Sequence, residues 1–153
     1  MSKTDLKGLH QNTIFSESAF IVLKHKFNVS RKKARIFLDD PTVENLHSLR
    51  ISIRRLRYSL EIFEVCFSRD SFRKNISYLK SLQDLIGIGR DLDVLKDEVN
   101  NIALEGKTVV PVQFFDALDK KKEKALHEIK LELLKFLHNK NIRNFFNKKE
   151  DLK

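Results

Sequence analysis

The sequence predicts an all-α fold, an antiparallel four-helix bundle with long helices. Three observations carry this expectation. Only four glycines and two prolines occur among 153 residues, too few for the turns of a many-stranded sheet. Apolar residues recur at steps of three and four along most of the chain, which is helical spacing. Hydrophobic residues make up 41% and charged residues 33%, a balance that suits a globular, soluble chain of single-domain size.

Residues 1–14 read as a polar lead. The first helix is expected to start near Ser16 or Ser18, whose hydroxyls suit an N-cap. Phe20, Leu23, Phe27, Ser30, Ala34 and Phe37 then share a face as far as about Asp39. Asp40-Pro41 reads as the start of the second helix. Its seam, Leu46, Leu49, Ile53, Leu56, Leu60, Phe63 and Phe67, is the cleanest in the chain. Ser68 to Ser71 is a short turn, which favours antiparallel neighbours.

The third helix carries Phe72, Ile76, Leu79, Leu82 and Ile86 and continues to about Ala103 as one long helix, with a kink expected near Gly87-Gly89. Glycine weakens a helix there by about 1 kcal/mol. Glu105 to Pro111 is the main loop, with Gly106 as a C-terminal cap. The last long helix runs from Val112 to Leu137. A break at His138 to Asn141 precedes Ile142, Phe145 and Phe146. The bundle thus spans residues 15–146, and 147–153 reads as a frayed end.

Thirty Lys and Arg against twenty-one Asp and Glu give a charge of +9, which favours anionic partners. Cys66 is a lone cysteine, which fits a reducing compartment. The first residues lack the apolar stretch of a secretory signal, and no run is long and apolar enough to span a membrane. A cytoplasmic location is expected.

The charge is patterned. His47, Arg50, Arg54 and Arg57 fall on one stripe of the second helix, roughly 100° from its apolar seam by the 3.6-residue period. Arg55 projects elsewhere. No acid interrupts this stretch, and like charges at i, i+4 destabilise a helix. Acids from neighbouring helices or an anion must therefore neutralise the row. Arginine's planar fork suits phosphate. Lys80, Gln83, Gly87 and Arg90 form a second row on the third helix. Gly87 leaves room there for a phosphate to approach the backbone. Asp91 and Asp93 follow and read as acids that orient the arginines. Lys24, Arg31 and Arg35 give a weaker row on the first helix, by helix geometry alone. If the three rows converge, they make a basic groove for a chain of phosphates.

The segment His47-x-x-Arg50-x-x-x-Arg54-Arg55-x-Arg57 resembles the histidine motif of the CHAD (conserved histidine α-helical) family. Leu79-Lys80-x-Leu82-Gln83-x-x-Ile86-Gly87-x-x-Arg90-Asp91-x-Asp93-Val94 resembles its second signature. The resemblance covers about residues 15–146. It implies an antiparallel helical bundle that binds inorganic polyphosphate without catalysis. It also implies that His47, Arg50, Arg54, Arg57, Lys80 and Arg90 line the site, beside the acidic pair Asp91 and Asp93, and that association with polyphosphate granules is to be looked for. Members of the family usually hold two related bundles, whereas this chain has room for one. Two outcomes stay open: weak binding by one bundle, or a symmetric homodimer that rebuilds the missing half.

Competing functions are weaker on the residues. A metal site needs convergent ligands, yet His10, His25, His47, His127 and His138 are scattered. Asp91 and Asp93 are two residues apart and do not share a helix face, so a metal-dependent phosphate-chain enzyme ranks low. No catalytic residue and no cofactor is expected. Nucleic acid is the alternative polyanion, but no reading motif or exposed aromatic platform accompanies the charge. The Lys120-Lys121-Lys122 run reads mainly as a solvated face.

Overall fold

The computed structural model describes residues 14–106 and 108–149. Most of the expected polar lead and part of the expected frayed end lie outside the described residues. The described chain forms α1 (Phe15–Asp39), α2 (Val43–Ile62), a single 3₁₀ turn (Glu64–Cys66), α3 (Arg69–Leu104), α4 (Val112–His138) and the short α5 (Lys140–Asn147), with no strand among them. The all-α bundle is therefore observed.

Local chemistry sets the helix ends, and three differ from the expectation. Helix α1 starts at Phe15 after Ile14, which caps nothing through its side chain. Neither Ser16 nor Ser18 is the cap, because both already lie within the first turn. Helix α2 is capped by Thr42, not Asp40: its Oγ1 accepts from the Asn45 amide at 3.2 Å. Asp40 instead receives the Asn45 side-chain amide on its carbonyl at 2.8 Å and on its carboxylate at 3.1 Å. Phe63 and Phe67 fall outside α2, which stops at Ile62 and turns through the 3₁₀ segment.

Ser68 caps α3 by accepting from the Ser71 amide at 3.3 Å. At the other end of α3, Gly106 takes φ +67° and donates to the Ala103 carbonyl at 3.2 Å. That left-handed conformation is one glycine adopts without steric penalty. Asn139 separates α4 from α5, its Oδ1 accepting from the Asn141 and Ile142 amides at 3.0 and 3.2 Å.

Helix α2 lies between α1 and α3, and α3 packs on α4. The core is continuous from Leu23 and Phe27 through Leu49, Ile53 and Leu56 to Leu79, Leu82, Ile129 and Phe136. Helix α5 closes one end. Phe146 stacks on Phe27 with centroids 4.7 Å apart, and Phe145 lies 4.9 Å from Phe67. Cys66 is a buried free thiol, and burial raises its pKa, so it behaves as a small hydrophobe. Among the described residues, no helix is long and apolar enough to cross a membrane.

Helix α3 runs unbroken through Gly87 and Gly89, and the two glycines have opposite surroundings. A Cβ on Gly89 would lie 2.7 Å from Ile129 Cδ1 and 3.3 Å from Leu46 Cδ2. Gly89 is thus the point where α2 and α4 close on α3. A Cβ on Gly87 would meet nothing within 4 Å. Gly87→Ala is therefore expected to stabilise the fold by about 0.5–1 kcal/mol, through helix propensity alone. Urea denaturation checks this.

Since Leu46 stands against Gly89, the last four turns of α3 run past the start of α2. That stretch is accompanied by the first half of α4. Lys122 Nζ lies 2.6 Å from Asp93 Oδ1, and Lys96 Nζ lies 2.6 Å from Asp119 Oδ1. The Asp93 pair is the more consequential, because Asp93 is only 3% exposed. Lys122→Ala would leave that carboxylate buried and uncompensated. It is expected to cost roughly 2–3 kcal/mol, below the full penalty for a deeply buried pair because Lys122 itself reaches solvent. Lys120→Ala, at an exposed position, is the control in the same thermal-melt series.

Candidate polyanion-binding face

Leu49, Ile53, Leu56 and Leu60 are fully buried, which fixes the rotation of α2 about its axis. The stripe His47, Arg50, Arg54 and Arg57 is thereby turned to the flank of the core. Glu61 continues the same stripe and marks which side it faces. Glu61 Oε1 lies 3.9 Å from Arg57 Nη1 and 3.9 Å from Lys80 Nζ of α3. The two rows therefore lie along the α2–α3 boundary. Because the helices run antiparallel, Arg57 is level with Lys80, and Arg50 is near the level of Gly87 and Arg90. From Arg50 to Arg57 the row spans about 10 Å, and from Lys80 to Arg90 about 15 Å, at 1.5 Å per residue.

The electrostatics are one-sided. Among the described residues, Arg57 and Lys80 each lie 3.9 Å from the Glu61 carboxylate, and no ion pair is formed by Arg50, Arg54 or Arg90. Arg57 also lies with Cζ 4.4 Å from the Tyr58 ring centroid, within cation–π range. Arg50 Nε, Arg57 Nε, Arg90 Nη1 and Gln83 Oε1 are buried atoms with no hydrogen-bond partner among the described residues. Each such group costs about 1–3 kcal/mol until an acceptor or donor reaches it. His47 and Arg54 are exposed at the outer edge. Gly87, on the same stripe of α3 as Lys80, faces open space.

The first-helix row is not brought to this face. Arg31 Nη2 donates to the Leu137 carbonyl at the end of α4, at 3.4 Å. Burial, with Arg35 and Arg143 nearby, lowers the Arg31 pKa. Lys24 lies over Phe20 at 5.4 Å, next to Lys149. Lys24, Arg31 and Arg35 therefore form a separate patch toward α4 and α5, and the expected three rows become two.

The acidic pair also divides. Asp93 is paired with Lys122 on the α4 side of α3, not with an arginine of the row. Asp91 is exposed on the outer edge of α3. Glu61 is the acid that touches the basic row. Its place on the 47–57 stripe, one turn after Arg57, was readable from the helical period. Arg55 lines a different cleft, of about 440 Å³, between α1 and α2, together with His25, Lys26, Lys33, Ser48 and Ser52. Among the described residues, no group of three or more His, Cys, Asp or Glu could hold a metal ion.

The two rows thus set Arg50, Arg54, Arg57, Lys80 and Arg90 along one helix boundary, with Glu61 in contact with two of them. Comparison with curated proteins and with solved structures finds no significant match. The family model for the CHAD domain matches residues 10–100, more than half of the chain and all of α2 with both basic rows, so the chain belongs to the CHAD family.

Proposed function

We propose that the α2–α3 face binds inorganic polyphosphate as a non-catalytic module. Arg50, Arg54, Arg57, Lys80 and Arg90 take the phosphate oxygens, His47 stands at one end, and Gly87 gives room for close approach. The observation that supports this reading best is the charge imbalance of the face. Among the described residues, these five cations have Glu61 as their ion-pair partner, at 3.9 Å from Arg57 and from Lys80, and three of the guanidiniums keep buried N–H groups without acceptors. Membership of a family known for polyphosphate binding supports the same reading, as does the net charge of +9. A cytoplasmic setting, near polyphosphate granules, goes with it.

Titration with polyphosphate of defined length across a salt series tests the proposal. Affinity should fall steeply with salt. If four or five phosphates are neutralised, the slope of log K against log salt is about −2.8 to −3.5, at about 0.7 per phosphate contact on a flexible strand. Arg55→Ala, in the cleft on the far side of α2, should change affinity little. A slope near zero would sink the reading. Displacement of polyphosphate by duplex DNA or RNA at equal phosphate concentration would transfer the face to nucleic acid.

A further inference from the structure

The C-terminal part of α3, most of it beyond the start of α2, carries an apolar seam that the described residues leave partly exposed. Ile88, Leu92, Leu95, Val99 and Ile102 follow one another at steps of four, three, four and three, the heptad spacing of a helix that packs along another helix. Ile88 is 54% exposed, Leu95 41% and Ile102 43%. This side of α3 is turned away from α2. It borders an apolar groove of about 270 Å³ with α4, where Phe114, Ala117 and Lys121 form the far wall. Phe114 is itself 38% exposed. An isolated exposed leucine is ordinary, but a run of them at heptad spacing marks an interaction surface.

Charges on the two rims say what fits. On the outer edge of α3, exposed Asp91 and Glu98 flank the seam, at steps of seven. On the outer edge of α4 stand exposed Lys121 and Lys124. The pairs Asp93–Lys122 and Lys96–Asp119 fix the relative height of the helices. By that register, Lys124 is level with Asp91, and Lys121 is within about one turn of Glu98.

We propose that this surface is a homodimer interface, closing on the same surface of a second copy about a two-fold axis parallel to the helices. That operation lays α3 of one copy antiparallel on α4 of the other. It sets Asp91 and Glu98 against Lys124 and Lys121 of the second chain, and the two helical pairs become a four-helix layer with the seams inside. The alternative two-fold, with α3 on α3, would set acid rim against acid rim. The face is about 20 Å long and two helices wide at about 10 Å spacing. That is about 400 Å² per copy, below the range of a standard stable interface, so a weak dimer that forms at the upper end of the micromolar range is expected. The proposal does not rest on the polyphosphate reading: its apolar seam lies roughly 100° around α3 from Gly87, while its acidic rim continues the Lys80–Gly87 stripe toward the end of the helix.

Sedimentation equilibrium of the full chain across the micromolar range tests it. The expected mass rises from 18.0 kDa toward twice that value with concentration. Leu95→Asp should hold the chain as a monomer with an unchanged helical circular-dichroism spectrum. The charge reversal Asp91→Lys with Glu98→Lys, at exposed positions that leave the fold intact, should weaken association at least tenfold. Adding Lys121→Glu and Lys124→Glu to that variant should restore it. A single-chain mass throughout the range would overturn the proposal. So would a dimer indifferent to Leu95→Asp, or a charge reversal that the second pair fails to rescue.

Discussion

The triple variant Arg50→Ala, Arg54→Ala, Arg57→Ala is expected to bind long-chain polyphosphate on the order of 10²–10³-fold more weakly than the parent, at roughly 1–1.5 kcal/mol per lost contact. The loss is expected without unfolding. Arg50 and Arg54 are like charges at i, i+4, which destabilise an isolated helix by a few tenths of a kcal/mol. Removing them relieves that repulsion and offsets the lost packing of Arg57 on Tyr58. Net charge falls from +9 to +6 (9 − 3), so part of the loss is the general field. Arg31→Ala, Arg35→Ala and Lys24→Ala together remove the same charge from the other patch and separate the two contributions. Filter binding of the two triple variants beside the parent reads both. Equal losses would reduce the α2 stripe to a source of net charge.

Gly89→Leu is expected to be the most damaging single substitution, costing about 3 kcal/mol or more. Even the first carbon of a side chain would meet Ile129 Cδ1 at 2.7 Å and Leu46 Cδ2 at 3.3 Å. Ile129 is fully buried and Leu46 nearly so, so neither can swing into solvent. Overpacking of this kind costs about 1–3 kcal/mol for added methylenes in a packed core, and here it also pries α4 from α3 and α2. Gly89→Ala is milder, because the helix gains about 0.5–1 kcal/mol in propensity against the clash. The contrast with Gly87→Ala, two residues away, is the sharpest check. Chemical denaturation of the three variants should place Gly89→Leu far below the parent and Gly87→Ala above it.

The seam from Leu46 to Leu60 was legible in the sequence because buried apolar positions repeat at the helical period, and burial then fixes where Arg50, Arg54 and Arg57 point. The second row was legible for the same reason, through Leu79, Leu82 and Ile86. Neighbours across the bundle were not, since spacing within one helix does not say which helix lies beside each face. Spacing alone therefore sets Asp93 beside the arginines, whereas it faces α4 and pairs with Lys122. Spacing alone likewise turns Arg31 toward a shared groove, whereas α4 ends against it and offers the Leu137 carbonyl. Gly87 and Gly89 looked alike as helix weakeners. Only packing shows that one faces open space and the other an isoleucine. The end of α2 was missed because Phe63 and Phe67 keep the apolar rhythm while the backbone tightens into a 3₁₀ turn.

The arginine side-chain Nε–Hε resonances, followed by NMR while polyphosphate is added at low salt, interrogate the groove itself. Arg50 and Arg57 should move together with Arg90 of the facing helix, and saturate at one ligand concentration, because α2 and α3 would be gripping a single strand. Arg31 and Arg35 should stay near their starting positions. Movement of Arg31 and Arg35 with Arg50, Arg57 and Arg90 unmoved would contradict the account.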